Sequence, residues 1–123
     1  MAASLNCLLL GNTSFDDAFV INVGRNNVEI DNLKISDLKV LILDRKKSKL
    51  GIDNVDLMNL WKVDVAESDE YKLKDFKVNE DNKVVGAKFL TPIHKFNECF
   101  KDKELNQGNI HVIVQLLAAG KCL

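Results

Sequence analysis

The side chains of this 123-residue chain that could carry chemistry are few: three cysteines, Cys7, Cys99 and Cys122, and two histidines, His94 and His111. A metal centre needs His, Cys or carboxylate ligands that converge. The two histidines fall on different predicted elements, and the cysteines lie far apart without the paired spacing of metal or redox sites. No metal is expected, and the thiols are expected to be reduced and unpaired. A Cys–His nucleophile would require Cys7 or Cys99 to meet a histidine. Cys99 follows His94 by five residues, which on a helix sets them on different faces. The carboxylate pairs Asp16-Asp17 and Asp69-Glu70 read as solvated loop charges, and there is no glycine-rich phosphate loop. The expectation is a protein that is not an enzyme, with no cofactor and no small-molecule substrate.

Composition narrows the remaining classes. The length suits one domain with a real core. With a formal charge of −1 and 28% charged residues, no overall field favours nucleic acid or an anionic membrane. Neither a transmembrane segment nor a secretory leader is expected, because the apolar run Leu8-Leu9-Leu10 is short and no basic residue precedes it. The basic stretch "RKKSK" (residues 45–49) reads as a solvated helix end rather than a targeting or phosphate-binding patch.

The elements that would position these residues can be read in order. Leu5–Leu10 is a continuous apolar strand, and Ala18–Val23 alternates well enough to pair back on it as a hairpin. After polar Gly24–Asn27, a helix is predicted from about Ser36 to Ser48. Ser36 accepts from a first-turn amide, Asp37 suits the positive end, the lysines suit the negative end and Gly51 stops it. Leu38, Leu41 and Ile42 share its apolar face, while Val40 and Leu43 point elsewhere and form a possible second apolar surface. A strand holding the only tryptophan follows, "MNLWKVDV" (residues 58–65). Then comes a charged excursion with a possible hairpin at Asn79–Asn82. Thr91 and Pro92 are expected to open a short second helix with Ile93, Phe96 and Phe100 as its stripe. "NIHVIVQLL", rich in branched residues, is the best central strand.

Hairpin, helix, strand, excursion, short helix and final strand is the order of an α+β β-grasp, or ubiquitin-like, fold with a mixed sheet, one main helix and a second short helix. The parallel pairing of first and last strands is inferred from that fold. Alternation puts Leu57, Asn59, Trp61, Val63 and Val65 on one face of their strand. That face is the more apolar, which favours a core Trp61. In the alternative, Leu60 points inward and Trp61 and Val63 form an apolar patch on the sheet face opposite the helix, available to a protein partner or to a second copy in a homodimer. His111 reads as a partly buried residue at a sheet end.

Several stretches together resemble one family. "SLNCLLLG", "FVINV", "DLMNLWKVDV", "FLTPIHKF" and "IHVIVQ" are similar, in order and spacing, to the N-terminal domain of Crinkler effectors in its fungal form. The resemblance covers roughly residues 4–117, with residues 118–123 as a flexible tail or foreign end. It implies a ubiquitin-like, non-catalytic module of a secreted effector of a filamentous microbe. Such N-terminal modules are associated with delivery into host cells, whereas separate C-terminal domains act there, often in the nucleus. Leu60, Trp61, Lys62 and Val63 stand where the family has its "LFLAK"-type motif, linked to translocation. His111, Val112, Ile113 and Val114 match the "HVLV" that closes the family's N-terminal domain. Gln115-Leu116-Leu117 follow where the family usually has a proline. A chain ending "AAGKCL" lacks the Gly-Gly tail that conjugation requires. An intracellular ubiquitin-like interaction domain with no role in secretion is the alternative function.

Overall fold

The computed structural model describes residues 3–23, 32–100 and 106–117. The expectations for Gly24–Asn27, for Cys122 and for the tail 118–123 lie outside the described residues. Strand β1 (Ala3–Leu9) and strand β2 (Phe19–Val23) form the expected antiparallel hairpin, with Leu5 opposite Ile21 and Cys7 opposite Phe19. Helix α1 (Ile35–Leu50) follows, then β3 (Met58–Val65), β4 (Lys88–Phe89), the single turn α2 (Phe96–Cys99) and β5 (Ile110–Leu116). The sheet order is β2-β1-β5-β3-β4, with β1 and β5 parallel and the other pairs antiparallel. This is the predicted β-grasp, and β5 is the central strand.

Helix α1 stops where the glycine allows: Gly51 sits at φ 70° and its N–H donates to the Lys47 carbonyl. At this positive φ a side chain would strain the backbone, and glycine does not. The start differs from expectation. Lys34, not Ser36, is the cap residue, and Asp37 Oδ2 accepts from the Lys34 amide at 2.9 Å. The amides of Ile35 and Ser36 donate to the His94 and Pro92 carbonyls at 2.9 and 3.0 Å, so a tertiary contact does the work predicted for a serine.

The same contact shortens the second helix. The Phe96 amide donates to the Leu33 carbonyl at 2.7 Å rather than to Pro92. Thr91–Lys95 therefore forms a turn docked on the start of α1, and α2 begins only at Phe96. Phe96 and Phe100 are buried and stacked at 5.0 Å as the stripe required, but Ile93 is 76% exposed. A helix over 91–100 would need the very carbonyls that α1 occupies.

Two apolar layers sandwich the sheet. On one face, Leu5, Cys7, Ile21, Leu60, Val112 and Val114 meet Leu38 and Ile42 of α1, Phe96 of α2 and Phe100 just after it. On the other, Leu8, Trp61, Val63, Val65 and Ile113 are covered by Leu73 and Val84 of the excursion. That excursion is a 3-10 segment, Glu67–Asp75, followed by a turn at residues 79–82 in which Asn82 takes φ 63° and Val78 bridges Val84. The hairpin predicted at Asn79–Asn82 is thus present in its minimal form. Glu70, expected to be merely solvated, accepts from the Phe15 amide at 2.7 Å and ties the excursion to the β1–β2 connection.

Candidate interaction surface

The residues singled out in β3 and β5 lie side by side, because these strands pair antiparallel with Leu60 opposite Val114, Trp61 opposite Ile113 and Lys62 opposite Val112. Trp61 faces away from α1, as the contact-surface alternative required, and Leu60 faces α1. Yet Trp61 is only 4% exposed, because the excursion covers that face. Trp61 and Val63 are core residues of the second layer. Val112, Ile113 and Val114 are buried as well.

Trp61 also has a polar tether that sequence reading missed. Its indole Nε1–H donates to Gln115 Oε1 at 2.9 Å, and Gln115 Nε2 donates to Asn82 Oδ1 at 3.2 Å. A buried amide therefore joins β3, β5 and the turn over them. The only signal was one polar residue inside "HVIVQLL".

His111 is buried at the end of the parallel β1–β5 pairing. Its Nδ1 accepts from the Asn6 amide at 2.9 Å, so Nε2 carries the proton and donates to the Asn106 carbonyl at 2.8 Å. Burial lowers its pKa, opposed by the bond to Asn106 and by the charge of Asp64. The ring acts as a neutral latch across two strands and the 106–109 turn. Asn6 Nδ2 donates to the Gln107 and Asn109 carbonyls and completes it.

Lys62, on the α1 side of β3, donates to the Cys99 carbonyl at 2.6 Å, with its ammonium 5.4 Å from the Phe100 ring centroid. It borders a cleft of about 350 Å³ shared with Lys88, Thr91, His94, Glu98 and Cys99. His94 lies outside α2, so the expectation that a helix separates it from Cys99 does not hold; both line this cleft. Burial pushes the Cys99 thiol up, against the pull of Lys62 and Lys88 and with Glu98 adding to the rise. Burial alone pushes Cys7 up far more. Thiols shifted upward are poor nucleophiles at neutral pH. Among the described residues, no three His, Cys, Asp or Glu side chains gather where a metal ion could bind, and no helix is long and apolar enough to cross a membrane.

The second apolar surface divides. Val40 is 54% exposed, whereas Leu43 is half-buried against the first core layer. Next to Val40 in the helix is Lys39, which sequence reading passed over: it is only 8% exposed, and burial lowers its pKa against the opposing charge of Asp56. At the end of α1, Lys46 and Lys49 both lie over Phe19, at 5.5 and 5.4 Å from its ring centroid. Part of the basic run therefore packs against β2 rather than standing free in solvent.

The β3 and β5 motifs pair side by side in one sheet, and burial raises the pKa of both described thiols, Cys7 and Cys99. No curated protein and no solved structure matches the chain. A family description, the Crinkler effector protein N-terminal domain, matches residues 3–115, nearly the whole length. The chain belongs to that family, whose N-terminal domains are generally non-catalytic parts of effector proteins.

Proposed function

We propose that this domain is the non-catalytic N-terminal module of a secreted effector, of the fungal form of the family, and that it supports delivery into a host cell through protein–protein contact. The observation that carries this reading is the match over residues 3–115 on a chain whose β3 and β5 motifs pair within one β-grasp sheet. Residues 1–117 act as the module, with another protein or a second copy as partner. The motif residues contribute mainly by holding the fold, since Leu60, Trp61, Val63 and 112–114 are buried. Only Lys62 of the first motif reaches the cleft beside α2.

The test fuses the domain to a reporter whose signal requires the host cytosol, expressed in a filamentous microbe growing on its host. Reporter signal in host cells that is lost without the domain supports the reading. Retention of the fusion inside the producing cell overturns it in favour of an intracellular interaction domain.

A further inference from the structure

The basic run "RKKSK" (residues 45–49) lies in the last turns of α1 and surrounds an exposed serine. Of the chain's serines, only Ser48 has a basic residue at each of the three positions before it, Arg45, Lys46 and Lys47, and Lys49 follows. Arg45, Lys47 and Lys49 are exposed with it. Among the described residues, none of the four cations forms an ion pair with a carboxylate. Lys46 and Lys49 lie over the Phe19 ring, and Lys49 Nζ also donates to the Asp17 carbonyl at 3.2 Å. The other serines differ. Ser4 Oγ donates to Asn22 Oδ1, Ser14 Oγ accepts from the Asp16 amide, and the exposed Ser68 stands between Glu67 and Asp69.

The backbone sets Ser48 apart as well. Lys46, at φ −127° and ψ 26°, leaves the helical conformation, so residues 47–50 form a turn beyond a break in α1. The Gly51 amide on the Lys47 carbonyl, the Lys49 contacts and the buried Leu50 hold that turn. A protein kinase must fit the residues around its serine into its own groove. A turn beyond a break opens at lower cost than the middle of a helix.

We propose that Ser48 is a phosphorylation site for a protein kinase that selects basic residues before its serine. The Ser48 hydroxyl oxygen attacks the terminal phosphorus of a nucleoside triphosphate, the bond from that phosphorus to the departing diphosphate breaks, and the hydroxyl proton passes to the kinase's carboxylate base. The product sets about two negative charges at the negative end of α1, where they oppose the helix dipole, next to the lysine that ties α1 to Phe19 of β2. Phosphorylation therefore loosens the last turn of α1. The site goes beyond the delivery reading and does not rest on it, because it needs only a kinase in the same compartment.

The test incubates the folded 123-residue chain with the catalytic subunit of cyclic-AMP-dependent protein kinase, magnesium and ATP, and maps the product by mass spectrometry. Phosphate is expected at Ser48, with none there in Ser48→Ala and incorporation at least about tenfold slower in Arg45→Gln. Both positions are exposed, so both variants should fold normally, and circular dichroism checks that. In the phosphorylated chain the amides of residues 47–51 should exchange about two- to fivefold faster, the equivalent of one unfavourable charge at a helix end. Three results overturn the proposal: no phosphate on the folded wild-type chain, total incorporation that S48A or R45Q leaves unchanged, or amides at 47–51 that exchange no faster after phosphorylation.

Discussion

The two faces of the sheet are covered by different means. On one, α1 supplies an apolar stripe held by its own backbone bonds, and that stripe shares a single core with residues of β1, β2, β3 and β5. On the other, the roof is a 3-10 segment and a minimal hairpin that bury two apolar side chains, Leu73 and Val84, over β3 and β5. The β1–β2 half of that second face is more open and polar: Ser4 Oγ donates to Asn22 Oδ1 at 2.8 Å, with Val20 exposed beside them. The difference is visible in the strands. β5 is buried along nearly its whole length, as expected of a strand covered on both sides, whereas β2 alternates between buried and open positions. A helix covers a sheet by its own regular structure, but an irregular roof depends on what the sheet offers it, and here that is Trp61 with its Gln115 tether.

The sharpest way to break this comparison is Trp61→Ala. If the excursion were only draped over the sheet, the loss would be small. We expect about 3–5 kcal/mol in urea unfolding, with protease cleavage appearing first between residues 66 and 87. Gln115→Ala should cost about 1–3 kcal/mol, because the indole N–H is then left buried without an acceptor. It should make the roof, not α1, exchange amide protons faster, as hydrogen exchange would read. Equal acceleration on both faces would show that the roof is no weaker than the helix.

The His111 latch gives a pH-dependent test at the end of the sheet. Its folded pKa lies below the ordinary value of 6.5, so the folded state holds fewer protons than the unfolded one. Its contribution is therefore present in full above about 6.5 and is lost as pH falls toward the lowered value. The strand bond at stake is worth about 0.5–1.5 kcal/mol. Wild type should lose that much more stability than His111→Gln between pH 7 and 5. Parallel pH curves for the two proteins would show that the ring is no latch. The smallest effect belongs to the helix face: Lys49→Ala, which removes one cation over Phe19, should cost about 0.5–1 kcal/mol in the same urea titration.

What the residues alone determined is the set of elements and their order. The opening hairpin, Gly51 as the stop of α1, the central place of "IHVIVQ" and the apolar Trp61 face all follow from local rules of alternation, capping and branched side chains. These rules act within a few residues and need no knowledge of the rest of the chain. The tertiary structure decided the remainder. Ser36 lost its capping role, and the predicted start of α2 failed at Thr91, because the backbones at 33–36 and 92–96, far apart in the chain, bond to each other. The two readings of Trp61 each held half of the answer. Its face is set by the pleat of β3, but its burial is set by an excursion whose charged sequence gives little sign that Leu73 and Val84 will fold back onto the sheet. Gln115 was illegible for the same reason: a polar side chain in an apolar strand shows its purpose only when the indole and Asn82 arrive from elsewhere.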